Sequence, residues 1–425
     1  MTQTAGKARS VDAQMADFKR HVFYIHGFDP RGTPVYEGHF RAGLPAASAR
    51  WSRDMVVVES EDDARARGAW TVTSRGVPSG FRVETHYEML PWTDIVGRYW
   101  FPGRQMRLAL ESFRFAWTTW RCGILKRFHR PAWALYVAIL MTPALVVLSL
   151  VVGMLAVTAG VGLALLAASL ASAPQWLAFA AAVVAAGLVV ALLLRGWSRL
   201  KAWLNVWWVT RFLGYLRGSA DGRFERSEER ADAFARRMFE VWEKSEVDEI
   251  LVVGHSLGAI HLVRAGARLL RLMSEGESRP ENESRREGES GAGGANKPKI
   301  VLLTLGHTVP LYTLLGGDEA FRHDLAEIAT SDRLRLLDVT SGSDPGSSCR
   351  IPLVEGIDLY GRSSRVISRE PDFHDILEPE TFRRIRMRPL EFHFQYLKPS
   401  ERGHGFDYFE LVTRPRPIET SVACP

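Results

Sequence analysis

Charge is missing from the middle of this chain. From Pro131 to Leu194 the sequence has no Asp, Glu, Lys, Arg or His over 64 consecutive residues, whereas one bilayer crossing needs only about 20 apolar residues. A surface helix of a soluble domain has a polar face and does not produce such a run; a helical hairpin buried in a large soluble domain is the alternative to a membrane span. Acid is absent over a wider stretch, from Ser112 to Ala220. Cysteine is scarce: Cys122, Cys349 and Cys424 are scattered and lack metal-ligand spacing, which excludes a disulfide framework and a zinc site and favours a reducing compartment. There is no H-E-x-x-H, no carboxylate pair at metal spacing, and no Gly-rich phosphate loop carrying Lys and Ser or Thr. Chemistry without metal or cofactor is expected. Met1 to Arg20 is polar and of mixed charge, unlike a signal peptide. With 46% hydrophobic and 24% charged residues, the chain is neither disordered throughout nor collagen-like.

The uncharged block breaks near Ala171-Ser172-Ala173-Pro174-Gln175, where small residues and a proline predict a turn. One span is expected within 133–168 and another over 176–195, forming a helical hairpin. Arg114, Arg121, Lys126, Arg127 and Arg130 precede the block, and Arg195, Arg199, Lys201, Arg211 and Arg217 follow it. Both flanks are therefore expected in the cytoplasm, which requires an even number of crossings. Tryptophans such as Trp117, Trp120, Trp133, Trp176 and Trp208 gather in the same region, as amphipathic rings do at headgroup level. The ten flanking cations also explain the net charge of +6. Without them the chain holds 44 basic against 48 acidic residues, so its basicity points to anionic lipid, not to nucleic acid. The expected organisation is an N-terminal tail (1–20), a first part of a catalytic domain (21–111), a basic-flanked membrane region (112–217) and a second catalytic part (218–425).

Outside the block, strands and helices alternate. His21–Ile25, Met55–Glu59, Ala69–Thr73 and Phe81–Tyr87 read as strands, the middle two as a hairpin. After the block come a helical pattern over Arg223–Lys244 and near-continuous apolar runs at Glu249–Val253, Lys299–Leu305 and Arg333–Val339. Such runs fit strands covered on both faces, hence a mostly parallel α/β sheet flanked by helices. Ser274–Pro298, rich in Glu, Ser, Gly and Arg, is expected to be a disordered loop.

The strongest local motif is Gly254-His255-Ser256-Leu257-Gly258, between the strand ending at Val253 and a helical run from Ala259. A G-x-S-x-G there forces a sharp strand-to-helix turn that lifts the serine hydroxyl above the sheet. The motif resembles the nucleophile turn of the α/β-hydrolase superfamily, particularly its lipases and esterases. The resemblance covers roughly 20–100 and 220–410 and leaves the hairpin as an insertion. It implies a chain order of oxyanion loop, nucleophile, acid and histidine. By that similarity Ser256 is the nucleophile, and the backbone N–H groups of Phe28 and Leu257 form the oxyanion hole, with Gly27 permitting close approach. Asp344, in the loop beyond Val339, is the expected acid ahead of Asp338, which lies in the strand. The histidine is either His393, three residues before Tyr396, or His374, since the chemistry needs an imidazole within reach of both serine and carboxylate. His26, His255 and His307 are expected to serve as loop, turn and strand-end residues.

The expected activity is that of a serine hydrolase anchored in the cell's inner membrane, its catalytic domain cytoplasmic, cleaving a lipid-like or other apolar ester. An acyltransferase using the same serine, or a noncatalytic membrane scaffold on this fold, are the alternatives.

Overall fold

β1 (Ala16–Ile25) is the strand on which the rest is ordered. In the computed structural model, which describes residues 16–58, 68–76, 80–100, 105–170, 174–203, 205–222, 226–278, 297–386 and 388–418, it pairs in parallel with β4 (Phe81–Met89) on one side and β5 (Glu249–His255) on the other. Beyond β4 lie the antiparallel β3 (Ala69–Gly76) and β2 (Arg53–Val58). Beyond β5 come β6 (Lys299–Leu305), β7 (Arg335–Val339) and β8 (Ile367–Arg369), all parallel. The order β2-β3-β4-β1-β5-β6-β7-β8 makes one mostly parallel sheet from segments on both sides of the uncharged block.

Side-chain alternation splits the core into two layers. Phe23 and Ile25 of β1 and Ile250 and Val252 of β5 face one layer, filled by α6 (Arg226–Lys244), α7 (Gly258–Glu277) and α8 (Glu319–Thr330). Val22, Tyr24, Leu251 and Val253 face the other, filled by α1 (Thr33–Trp51) and by C-terminal residues such as Tyr408 and Phe409. All seven residues of β5 are buried, whereas β3 and β4 alternate between buried and half-buried, as expected near a sheet edge.

The uncharged block forms α3 (Trp133–Leu170) and α4 (Gln175–Trp203). Two stretches in them, Trp133–Ala167 and Phe179–Leu200, are long and apolar enough to cross a membrane. The expected turn at 171–173 lies outside the described residues. A Cβ on Gly160 would come within 2.9 Å of Ala186 Cβ, so small residues let the two helices approach closely. The base of α3 is packed against the sheet's own core. Leu135 and Ile139 share the core layer of Phe23 and Ile25, as do Phe115 of α2 (Gln105–Arg121) and Leu213 and Leu216 of α5 (Val206–Ala220).

Several boundaries differ from the sequence reading: β3 runs on to Gly76 and β4 to Met89, and β7 begins at Arg335. β1 starts at Ala16, five residues before the apolar run, because Arg20 is buried and makes a 2.7 Å ion pair with Glu249. Of the helix expected over 223–244, residues 223–225 lie outside the described residues and the helix is described over Arg226–Lys244. Of the loop expected over 274–298, the first residues continue α7 to Glu277, and 279–296 lie outside the described residues.

Candidate active site

The turn between β5 and α7 is built by close contact. Ser256 has φ 55°, the left-handed region that a side chain normally avoids. Its N–H donates to the Leu305 carbonyl of β6 at 2.8 Å, which ties the strained residue to the sheet. The flanking glycines are required by space. A Cβ on Gly254 would lie 2.8 Å from Ala259 Cα, and one on Gly258 would lie 2.3 Å from the Ile25 carbonyl oxygen. From the facing loop, a Cβ on Gly27 would sit 3.0 Å from Ser256 Cβ.

That facing loop is fixed by its own bonds. Gly27 N–H donates to the Tyr36 hydroxyl at 3.0 Å, and Asp29 N–H to the Gly27 carbonyl at 2.8 Å. The neutral His26 ring donates from Nδ1 to the Gly27 carbonyl at 2.7 Å and accepts from the Thr93 hydroxyl at 3.0 Å. Burial pushes its pKa down to about 4. The N–H groups of Phe28 and Leu257 find no protein acceptor among the described residues, so both remain free to bind an anionic oxygen.

Asp344 is buried in the loop after β7, where Gly346 N–H donates to its Oδ1 at 2.8 Å. His393, at the end of α10 (Pro389–His393), donates from Nδ1 to Oδ2 at 2.8 Å and to Oδ1 at 3.0 Å. Gly346 makes this possible, since a Cβ there would lie 2.8 Å from His393 Nδ1. His255 holds the same residue from the other side, its Nε2–H donating to the His393 carbonyl at 3.2 Å. Burial keeps the His255 ring neutral, far below the usual histidine range. Tyr396 accepts from Ser341 N–H at 2.8 Å and braces the start of the Asp344 loop. With Nδ1 on the carboxylate, His393 has only Nε2 left to offer.

Ser256, His393, Gly27 and Phe28 line one cavity of about 780 Å³, and His255 and Gly346 share its wall. His374 is absent from that lining. It is exposed, its ring edge-on to Phe382 at 5.2 Å and its Nδ1 3.7 Å from Asp375. Asp338 is engaged elsewhere, accepting from His307 Nε2 at 2.7 Å, while His307 Nδ1 accepts from Val309 N–H. Sequence reasoning missed the grip of His255 on His393 and the space left by Gly346. The spacing of the motif places His255 at a strand end but gives no sign of a partner 138 residues away.

Most of the remaining cavity wall is apolar and comes from two directions: the first turns of α3 (Trp133, Ala138, Met141) with α5 (Trp208, Phe212), and the segment holding Phe382 and Leu390, which also brings Arg386. Two groups of ligand-type side chains lie elsewhere, His21 with His86 and Glu88, and His323 with Asp324 and Glu327. In each a guanidinium already occupies carboxylate oxygens, Arg237 on Glu88 and Arg271 on Asp324 and Glu327, which disfavours a cation. No family model, curated protein or solved structure matches the chain.

Proposed function

We propose that the chain is a membrane-anchored serine hydrolase of α/β-hydrolase type, cleaving apolar acyl esters through an acyl-enzyme. The observation that carries this reading is the Asp344–His393 hydrogen bond at the same cavity as the strained Ser256. Ser256 Oγ attacks the ester carbonyl while His393 Nε2 takes its proton, and Asp344 fixes the ring and stabilises the imidazolium. The N–H groups of Phe28 and Leu257 hold the oxyanion, each worth on the order of 3 kcal/mol in the transition state. His393 then protonates the leaving alkoxide as the ester C–O bond breaks. Water, deprotonated by the same ring, releases the acid and restores the serine.

The membrane half of the reading rests on α3 and α4 and on the surface of α2. Met106, Leu110, Phe113, Trp117 and Trp120 form an exposed stripe at helical spacing, while Leu108, Phe115 and Thr119 are buried on the other face. An apolar stripe with arginines beside it suits a helix lying in the headgroup layer. A hairpin with both ends on the catalytic side keeps β1–β4 and β5–β8 on one face of the bilayer.

The test is labelling by a fluorophosphonate probe together with hydrolysis of p-nitrophenyl esters. Wild type is expected to be labelled and active, and Ser256→Ala to lose both. Equal hydrolysis by the two proteins would overturn the assignment.

A further inference from the structure

The cavity wall is unequal in charge. Among the described residues it carries no Asp or Glu, and Arg386 is its one permanent cation. Arg386 is exposed and has no ion-pair partner among the described residues, whereas Arg388, two residues on, pairs with Glu391. Arg383 and Arg384 of α9 (Pro379–Ile385) precede it, both exposed. An unpaired guanidinium at the rim of an apolar cavity is complementary to an anion, most of all a phosphate it can bind with two N–H groups. The remaining wall, contributed by α3 and α5, suits a hydrocarbon chain.

Building on the hydrolase reading above, we propose that the site takes an amphiphilic ester with an anionic headgroup, a phosphate-bearing acyl lipid, and that Arg386 binds the headgroup and sets specificity. The acyl chain lies against Ala138, Met141 and Phe212, the ester carbonyl meets Ser256, and the phosphate meets Arg386. The chain then arrives from the bilayer alongside α3, since the helix that enters the membrane also walls the site.

The experiment uses the full-length protein in nanodiscs of zwitterionic lipid, with 1-acylglycerol 3-phosphate and 1-acylglycerol of equal chain length as substrates. Wild type is expected to favour the phosphate ester at least about tenfold in kcat/KM. Arg386→Gln lowers that ratio about tenfold, chiefly through KM, and Arg386→Lys restores much of it. A wild-type ratio near one, or an equal loss on both substrates in Arg386→Gln, overturns the proposal. Binding of the two lipids to the Ser256→Ala protein gives a readout that needs no turnover. Preferential binding of the phosphate lipid without hydrolysis of either ester by wild type would sink the hydrolase reading and leave the headgroup site standing. Inorganic phosphate in excess is expected not to displace the lipid; full displacement would reduce the site to a bare anion site and overturn the lipid assignment.

Discussion

At the scale of single residues, the site depends on groups that hold other groups. Asp344 accepts from His393 through both oxygens and from Gly346 N–H, so the carboxylate sets which tautomer of His393 faces the cavity. Asp344→Asn keeps the shape and removes the charge, and is expected to lower kcat about 10³–10⁴-fold in steady-state ester hydrolysis. His374→Ala, by contrast, should leave kcat within about twofold, since that ring is exposed and away from the cavity. A large loss in His374→Ala with none in His393→Ala would reverse the two roles. Ser256 was legible in the sequence because a local pattern, strand then glycine-flanked serine then helix, already dictates a strained turn. The two histidines were not separable there. Both follow the acid in the chain, and only the tertiary distance to Asp344 distinguishes them.

Among the elements, the strands were read with nearly correct ends wherever an apolar run dictates them, as in β5 and β6, whose central residues are apolar and buried. The reading failed where a polar residue is buried by a distant partner. Arg20 looks like the end of a polar tail until Glu249 and the carbonyls of Val412 and Arg416 are placed around it. In the sequence, most of α5 and the second half of α2 fall in one membrane region (112–217) around the spans, because an acid-free, tryptophan-rich stretch gives one signal for helices in the bilayer and helices beside it. α2 is two-faced: Trp117 and Trp120 are 58% and 61% exposed, and Phe115 is fully buried. Replacing Trp117 and Trp120 together by Ser is expected to leave the fold and the turnover of a water-soluble ester within about twofold. Activity on a bilayer-embedded ester should fall several-fold in a vesicle assay. Equal effects on both substrates would argue against contact between α2 and lipid.

For the whole molecule, the sheet is the constraint on topology. β4 ends at Met89 and β5 begins at Glu249, yet β1 pairs with both, so the hairpin must return to the side it left. Cys122 is exposed at the end of α2, and Gln175 opens α4 at the far end of α3. In oriented membrane vesicles, a membrane-impermeant maleimide is expected to reach Cys122 from the face bearing the sheet. A Gln175→Cys variant, in a Cys122→Ser, Cys424→Ser background, should be labelled only from the opposite face. Labelling of both from one face would show that the hairpin lies on the bilayer without crossing it.

The burial of Arg20 sets a schedule for biogenesis. Its carboxylate partner is made 229 residues later and its first carbonyl partner 392 residues later. At ribosomal speeds of about 5–20 residues per second, the second interval lasts roughly 20–80 s. Until Glu249 and β5 are made, β1 has no neighbour on its β5 side and its guanidinium lacks its carboxylate partner, while the apolar helices α3 and α4 have already been synthesised. On the membrane reading, the hairpin is available for insertion before the sheet can close, and the loop carrying Gly27 meets the turn carrying Ser256 only once β5 is made. Until β5 emerges the nascent chain carries one open edge on β1, and that interval is its window of exposure to pairing with other chains.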